Sequence, residues 1–126
     1  MAALASPAHA RTEHWLHNGS KLTWMSVLDW RQVITYERPV QGTGRPGVER
    51  GRILFTGWRY GKRLYGRART YREGCGHAFS YRVRGLISND GTRAVLQGLS
   101  PVVENCRVVD WRAFGRDATL VLIKAR

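Results

Sequence analysis

The sequence predicts an all-β fold, a small antiparallel barrel or sandwich of about eight strands. Three observations carry this. β-branched and aromatic residues cluster in short runs between the 14 glycines, the pattern of strands joined by turns. Several of these runs alternate apolar and polar residues with period two. Asn18-Gly19, Gly61-Lys62 and Asp90-Gly91 stand between runs as turn dipeptides. No stretch reads clearly as a helix.

The first ten residues, MAALASPAHA, end in the small-x-small pattern Ala8-His9-Ala10 that precedes signal-peptide cleavage. The apolar run before it is short and no basic segment leads it. The segment is therefore either the remnant of a signal peptide whose start lies upstream or a disordered tail. The position of the pattern, directly before a β-rich domain, favours the remnant. Residues 11–126 then form a single β domain, and 43% hydrophobic residues suffice for one core. No run approaches the length of a transmembrane helix.

EHWLHNGSKLTW is a predicted hairpin in which Asn18-Gly19 makes His17 face Ser20 and Trp15 face Leu22. RQVITYE (31–37) is a further strand, although Trp24 to Ile34 also has partial helical spacing. The segment 38–51 is a Gly/Pro loop. Its Gly42-Thr43-Gly44 lacks the following Gly-Lys-Ser/Thr and the helix of a phosphate loop.

RILFTGWRYGKRLYGRARTY folds back at Gly61-Lys62, which opposes Trp58 to Tyr65 and Gly57 to Gly66. One face would carry Ile53, Phe55, Gly57, Gly66, Ala68 and Thr70. Leu54, Thr56, Trp58, Tyr65, Arg67 and Arg69 would lie on the other. In AFSYRVRG, Phe79, Tyr81 and Val83 point one way and Arg82 and Arg84 the other. RAVLQG, CRVVDW and ATLVLIK complete the strands.

Lys and Arg number 21 against nine Asp and Glu, a net charge of +12. Such an imbalance speeds encounter with polyanions without selecting one. The stretch from Gly57 to Arg84 concentrates Trp58, Arg59, Lys62, Arg63, Tyr65, Arg67, Arg69, Arg82 and Arg84. A solvated outer face accounts for the alternation, but not for charges of one sign that are nearly all Arg.

Cys75 and Cys106 are the only cysteines. In a secreted domain an even count points to one disulfide, and in a cytosolic one to two buried thiols. A chain without Cys-x-x-Cys has neither a four-cysteine zinc site nor a thioredoxin motif.

Further motifs are His17-Asn18-Gly19-Ser20, Tyr36 with Arg38-Pro39, and GVERGRILFTG (47–57). Tyr65-Gly66 with Ala68, Cys75-Gly76, and Tyr81, Val83 and Gly85 follow. Leu96-Gln97-Gly98, Pro101 and Cys106 complete the set. On these, the chain resembles an uncharacterised secreted β domain of alphaproteobacteria, found alone and as a terminal module beside caspase-like peptidase domains. The resemblance spans nearly all of the predicted domain. It implies a fold and a Cys75–Cys106 disulfide, and no chemistry. The extra arginines and the longer glycine loop depart from it. In architecture alone the chain is also similar to bacterial lysozyme inhibitors, and fold does not imply function.

Catalytic and metal chemistry find little support. His14 and His17, three apart on a strand, point to opposite faces. His77 neighbours Cys75, whose sulfur is no nucleophile once bridged. Asp29, Asp110 and Asp117 have no spacing that makes a carboxylate pair, and pairing with surplus Arg is their expected role. No catalytic residue, metal or cofactor is therefore expected.

The predicted function is a periplasmic or secreted, non-enzymatic binding module. Its basic, aromatic-fringed sheet face would engage an anionic envelope polymer or lipid, or an acidic protein. An inhibitor-like module docking through the loop 38–51 is one alternative, and a nucleic-acid-binding β domain is a second.

Overall fold

A computed structural model describes residues 10–38 and 49–126. The leading segment up to residue 9 and most of the Gly/Pro loop, residues 39–48, lie outside the described residues, and with them the expectations placed there. Ten strands follow in order: β1 (Ala10–His17), β2 (Ser20–Val27), β3 (Arg31–Arg38), β4 (Ile53–Tyr60), β5 (Arg63–Thr70), β6 (Phe79–Ile87), β7 (Arg93–Gln97), β8 (Ser100–Glu104), β9 (Arg107–Arg112) and β10 (Thr119–Lys124). No described residue is helical.

Eight strands close an antiparallel barrel in the order β1-β10-β7-β6-β5-β4-β3-β2, and β8 and β9 form a separate two-stranded sheet. Both turn-defined registers occur as the sequence predicts. His17 pairs with Ser20 and Trp15 with Leu22, while Trp58 pairs with Tyr65 and Gly57 with Gly66. Asn18 and Gly19 both take positive φ, the backbone that a two-residue hairpin turn needs.

Inward residues alternate along each strand and fill the barrel. Trp15, Leu22, Trp24, Ile34, Tyr36, Phe55, Leu64, Tyr81, Leu96, Leu120 and Leu122 are all buried. Polar groups inside are satisfied. Buried Gln32 accepts from Trp24 Nε1 at 2.7 Å and from Ser26 Oγ at 3.0 Å. Buried His17 places Nδ1 3.0 Å from the Val121 carbonyl oxygen, which makes that nitrogen the donor.

The partial helical spacing of Trp24 to Ile34 is not realised. Leu28 and Asp29 adopt φ of 55° and 64°, a reversal that no right-handed helix contains, and Gln32 bonds back across the hairpin to β2. Leu54 departs from its expected outer position and is buried. In the β3–β4 ladder Ile34 pairs with Phe55 and Thr35 with Ile53. Leu54 is thus the extra residue of a bulge, which turns its side chain to the core.

Glycine lets β4 and β5 approach closely. A Cβ on Gly57 would lie 2.1 Å from the Tyr65 carbonyl oxygen, and one on Gly66 2.2 Å from that of Thr56. The pair leaves room for the Phe55 ring, which would itself stand 2.8 Å from a Gly57 Cβ.

β7 and β10 are neighbours, with Gln97 opposite Thr119, and the chain between them leaves the barrel as the β8–β9 hairpin. Gly98 allows the departure, since a Cβ there would meet the Arg82 carbonyl oxygen of β6 at 2.1 Å. At the far end of the hairpin Cys106 is bridged to Cys75 in the β5–β6 connection. The reading of two free thiols is overturned, because the chain has no free cysteine.

Candidate functional site

The side chains that alternation sends outward on β4, β5 and β6 meet in a groove of about 910 Å³. Trp58, Tyr65, Arg67, Arg82 and Arg84 line it together with Gln97, Leu99 and Trp111. The sheet register makes the arrangement regular. One row across neighbouring strands reads Arg31, Trp58, Tyr65, Arg84 and Gln97. The next places Thr56, Arg67 and Arg82 side by side.

The aromatic part is held from beneath and beside. Trp30, in the β2–β3 turn, stacks on Trp58 with ring centroids 5.0 Å apart and planes inclined by 17°. The Arg31 guanidinium lies 5.7 Å from the Trp58 ring centre. Tyr60 leans on Tyr65 at 6.3 Å. Trp58 and Tyr65 nonetheless remain 40% and 38% exposed, and Trp111 is half exposed on the hairpin side, so all three rings have surface to offer.

Among the described residues no carboxylate lies within 4.0 Å of Arg67, Arg82 or Arg84. Arg67 donates to Ser80 Oγ from Nε at 3.3 Å and from Nη2 at 3.2 Å. Arg67 and Arg82 are direct cross-strand neighbours, a like-charge placement that weakens a sheet unless an anion joins it.

A second groove of about 660 Å³ continues along the same face, lined by Arg63, Leu86, Arg93 and Val95 and sharing Tyr65, Arg84 and Gln97 with the first. Among the described residues, no acidic residue lines either groove.

Four predicted residues stand apart from the main groove. Arg63 lines only the second. Arg69 shares the outer face of β5 but donates to Thr56 Oγ1 at 3.1 Å, further along the strand. Arg59 has the inward parity of Gly57 and folds back onto the Gly61 carbonyl at 2.8 Å. Lys62, in the turn, reaches the Asn89 carbonyl at 3.2 Å. Trp111, Gln97 and Arg93 were missed. Arg93 and Gln97 follow from pairing β7 beside β6, whereas only the disulfide and the hairpin bring Trp111 back to the groove.

The histidines and carboxylates find other work. His14 sits 3.1 Å from Glu37 on the outside, whereas His17 points inward. Asp117 pairs with Arg72 at 3.5 Å, Asp29 with Arg11 at 4.0 Å, and Asp110 accepts from the Trp111 amide at 2.8 Å. Among the described residues no cluster of three or more His, Cys, Asp or Glu converges.

Fold and site together define a closed eight-stranded β-barrel with a disulfide-tethered hairpin over an arginine and aromatic groove. No protein-family profile, curated protein or solved structure matches the chain.

Proposed function

We propose that the chain is a non-enzymatic binding module for an anionic component of the bacterial envelope. The observation that carries this is the pair of joined grooves with Arg63, Arg67, Arg82, Arg84 and Arg93 among their lining and, among the described residues, no carboxylate. Arginine forks bind carboxylates and phosphates bidentately, and a net charge of +12 steers such ligands toward the face. A disulfide persists in oxidising compartments, which supports a periplasmic or secreted location.

The test is binding to heparin, as a generic polyanion, over a range of salt. Wild-type log affinity should fall linearly with log salt as counterions are released. Replacing Arg67, Arg82 and Arg84 by Gln should weaken binding about tenfold or more, since charge-assisted contacts contribute about 1.5 to 3 kcal/mol each when fully made. The control replaces Arg50, Arg107 and Arg126, which line neither groove. Equal losses in the two triple variants would mean that net charge alone is responsible and that the groove is no site.

A further inference from the structure

We infer that the joined grooves take an acidic oligosaccharide, a chain of sugar rings that carry carboxylates; this rests on the polyanion-binding reading above. Three features select this class. The first is extent. The two grooves share the Tyr65, Arg84 and Gln97 row and so form one trough on the barrel wall, which suits a linear ligand of several units better than a single small anion.

The second is the closeness of ring surface and charge. Tyr65 and Arg84 are direct partners on adjacent strands, which run about 4.8 Å apart, and Trp58 is the partner of Tyr65 on the other side. A ligand that satisfies both must carry its anionic group next to the face that it stacks. In a uronic acid the carboxylate is bonded to the ring itself. In a nucleotide a whole sugar stands between base and phosphate, so the adjacent placement fits a uronate better. A run of Asp or Glu residues brings carboxylates on flexible chains but no ring bonded to them, and would leave the aromatic surface unused.

The third is the two-sided aromatic lining. Trp58 and Tyr65 belong to the barrel, and Trp111 reaches the same groove from the hairpin. Aromatic rings contributed by both elements offer a sugar's C–H face surfaces to stack on along the groove. Trp58 is fixed by its stack on Trp30 before any ligand arrives, so little side-chain freedom is lost on binding.

The test uses three probes of matched length and charge: an oligogalacturonate, an oligoglutamate and an oligothymidylate. Affinity is measured at two salt concentrations for the wild type, Trp111→Leu and Trp58→Leu. The wild type should bind the oligogalacturonate at least tenfold more tightly than either other probe. Trp111→Leu should lose that preference while still binding the oligoglutamate in a salt-dependent way. Trp111 is half exposed on a peripheral strand, so its loss leaves the barrel core intact, and Trp58→Leu gives a second measure from the barrel side. Equal, salt-sensitive binding of all three probes overturns the sugar assignment and leaves the polyanion reading standing. Preference for the oligothymidylate replaces it with a single-stranded nucleic acid, and preference for the oligoglutamate with an acidic protein. No binding of any probe at low salt overturns the polyanion reading itself.

Discussion

Asp90 organises the β6–β7 turn as a hydrogen-bond acceptor. It receives the Ser88 hydroxyl at 2.7 Å, the Thr92 hydroxyl at 2.8 Å and the Thr92 amide at 3.1 Å. These bonds, first that from Ser88 and then those from Thr92, lower its pKa from 3.8 to about 2. A carboxylate whose pKa is lower in the folded state stabilises the fold above the unfolded value, and the contribution is lost as pH falls through the folded one. The turn should therefore hold at pH 4 and loosen as pH approaches about 2. A carboxyl NMR titration of Asp90 with a midpoint near the ordinary value would refute the bonding pattern. The Gly57–Gly66 pair makes a second demand on single residues. Gly57→Ala should cost about 3 kcal/mol, because its new methyl meets carbonyl backbone rather than a movable side chain. Gly76→Ala, with open space around it and no positive φ, should stay within about 0.5 kcal/mol. Denaturant melts of the two variants compare the sites directly.

At the scale of elements, the hairpins were legible because their causes are local. Asn18-Gly19 and Gly61-Lys62 fix the pairing of the residues beside them, and period-two alternation then assigns Arg82 and Arg84 outward. The failures arise where a distant partner decides. Leu54 is buried because β3 pairs around it, and a single strand carries no trace of that bulge. β8 is not among the strands predicted from the sequence, and it carries Pro101, a residue that sheets confine to edges. A proline is tolerated there since β8 has a ladder on one side only, to β9. Trp111 has no local mark of function, and its place depends on the route of the β8–β9 hairpin and on its tether. The Cys75–Cys106 bridge, with a separation of 31 residues, should stabilise the fold by roughly 3 to 4 kcal/mol by restricting the unfolded chain. Denaturant melts with and without reductant measure this. An unchanged midpoint would show that the hairpin holds without its covalent tether.

At the scale of the molecule, the barrel class and the arginine face were both legible, because composition, turn chemistry and alternation agree on them. The first groove was not. It needs the β8–β9 hairpin, which brings Trp111, laid against the barrel wall, and no sequence window spans both. Closure has a consequence for how copies of the chain meet. A ring of hydrogen-bonded strands leaves little free edge on which another molecule can extend a sheet, here the Ala10–Glu13 end of β1, which pairs with β2 and not with β10. Among the described strands, only β8 and β9 stand outside that ring, and every residue of β9 is exposed, Val108 and Val109 included. The charges there, Arg107, Asp110 and Arg112, interrupt an otherwise adhesive strip. Mutual repulsion between molecules of charge +12 adds a long-range barrier that salt weakens. Colloidal stability and the proposed ligand capture thus draw on the same positive charge, so a polyanion that neutralised the wall would also remove what keeps neighbouring β9 strands apart.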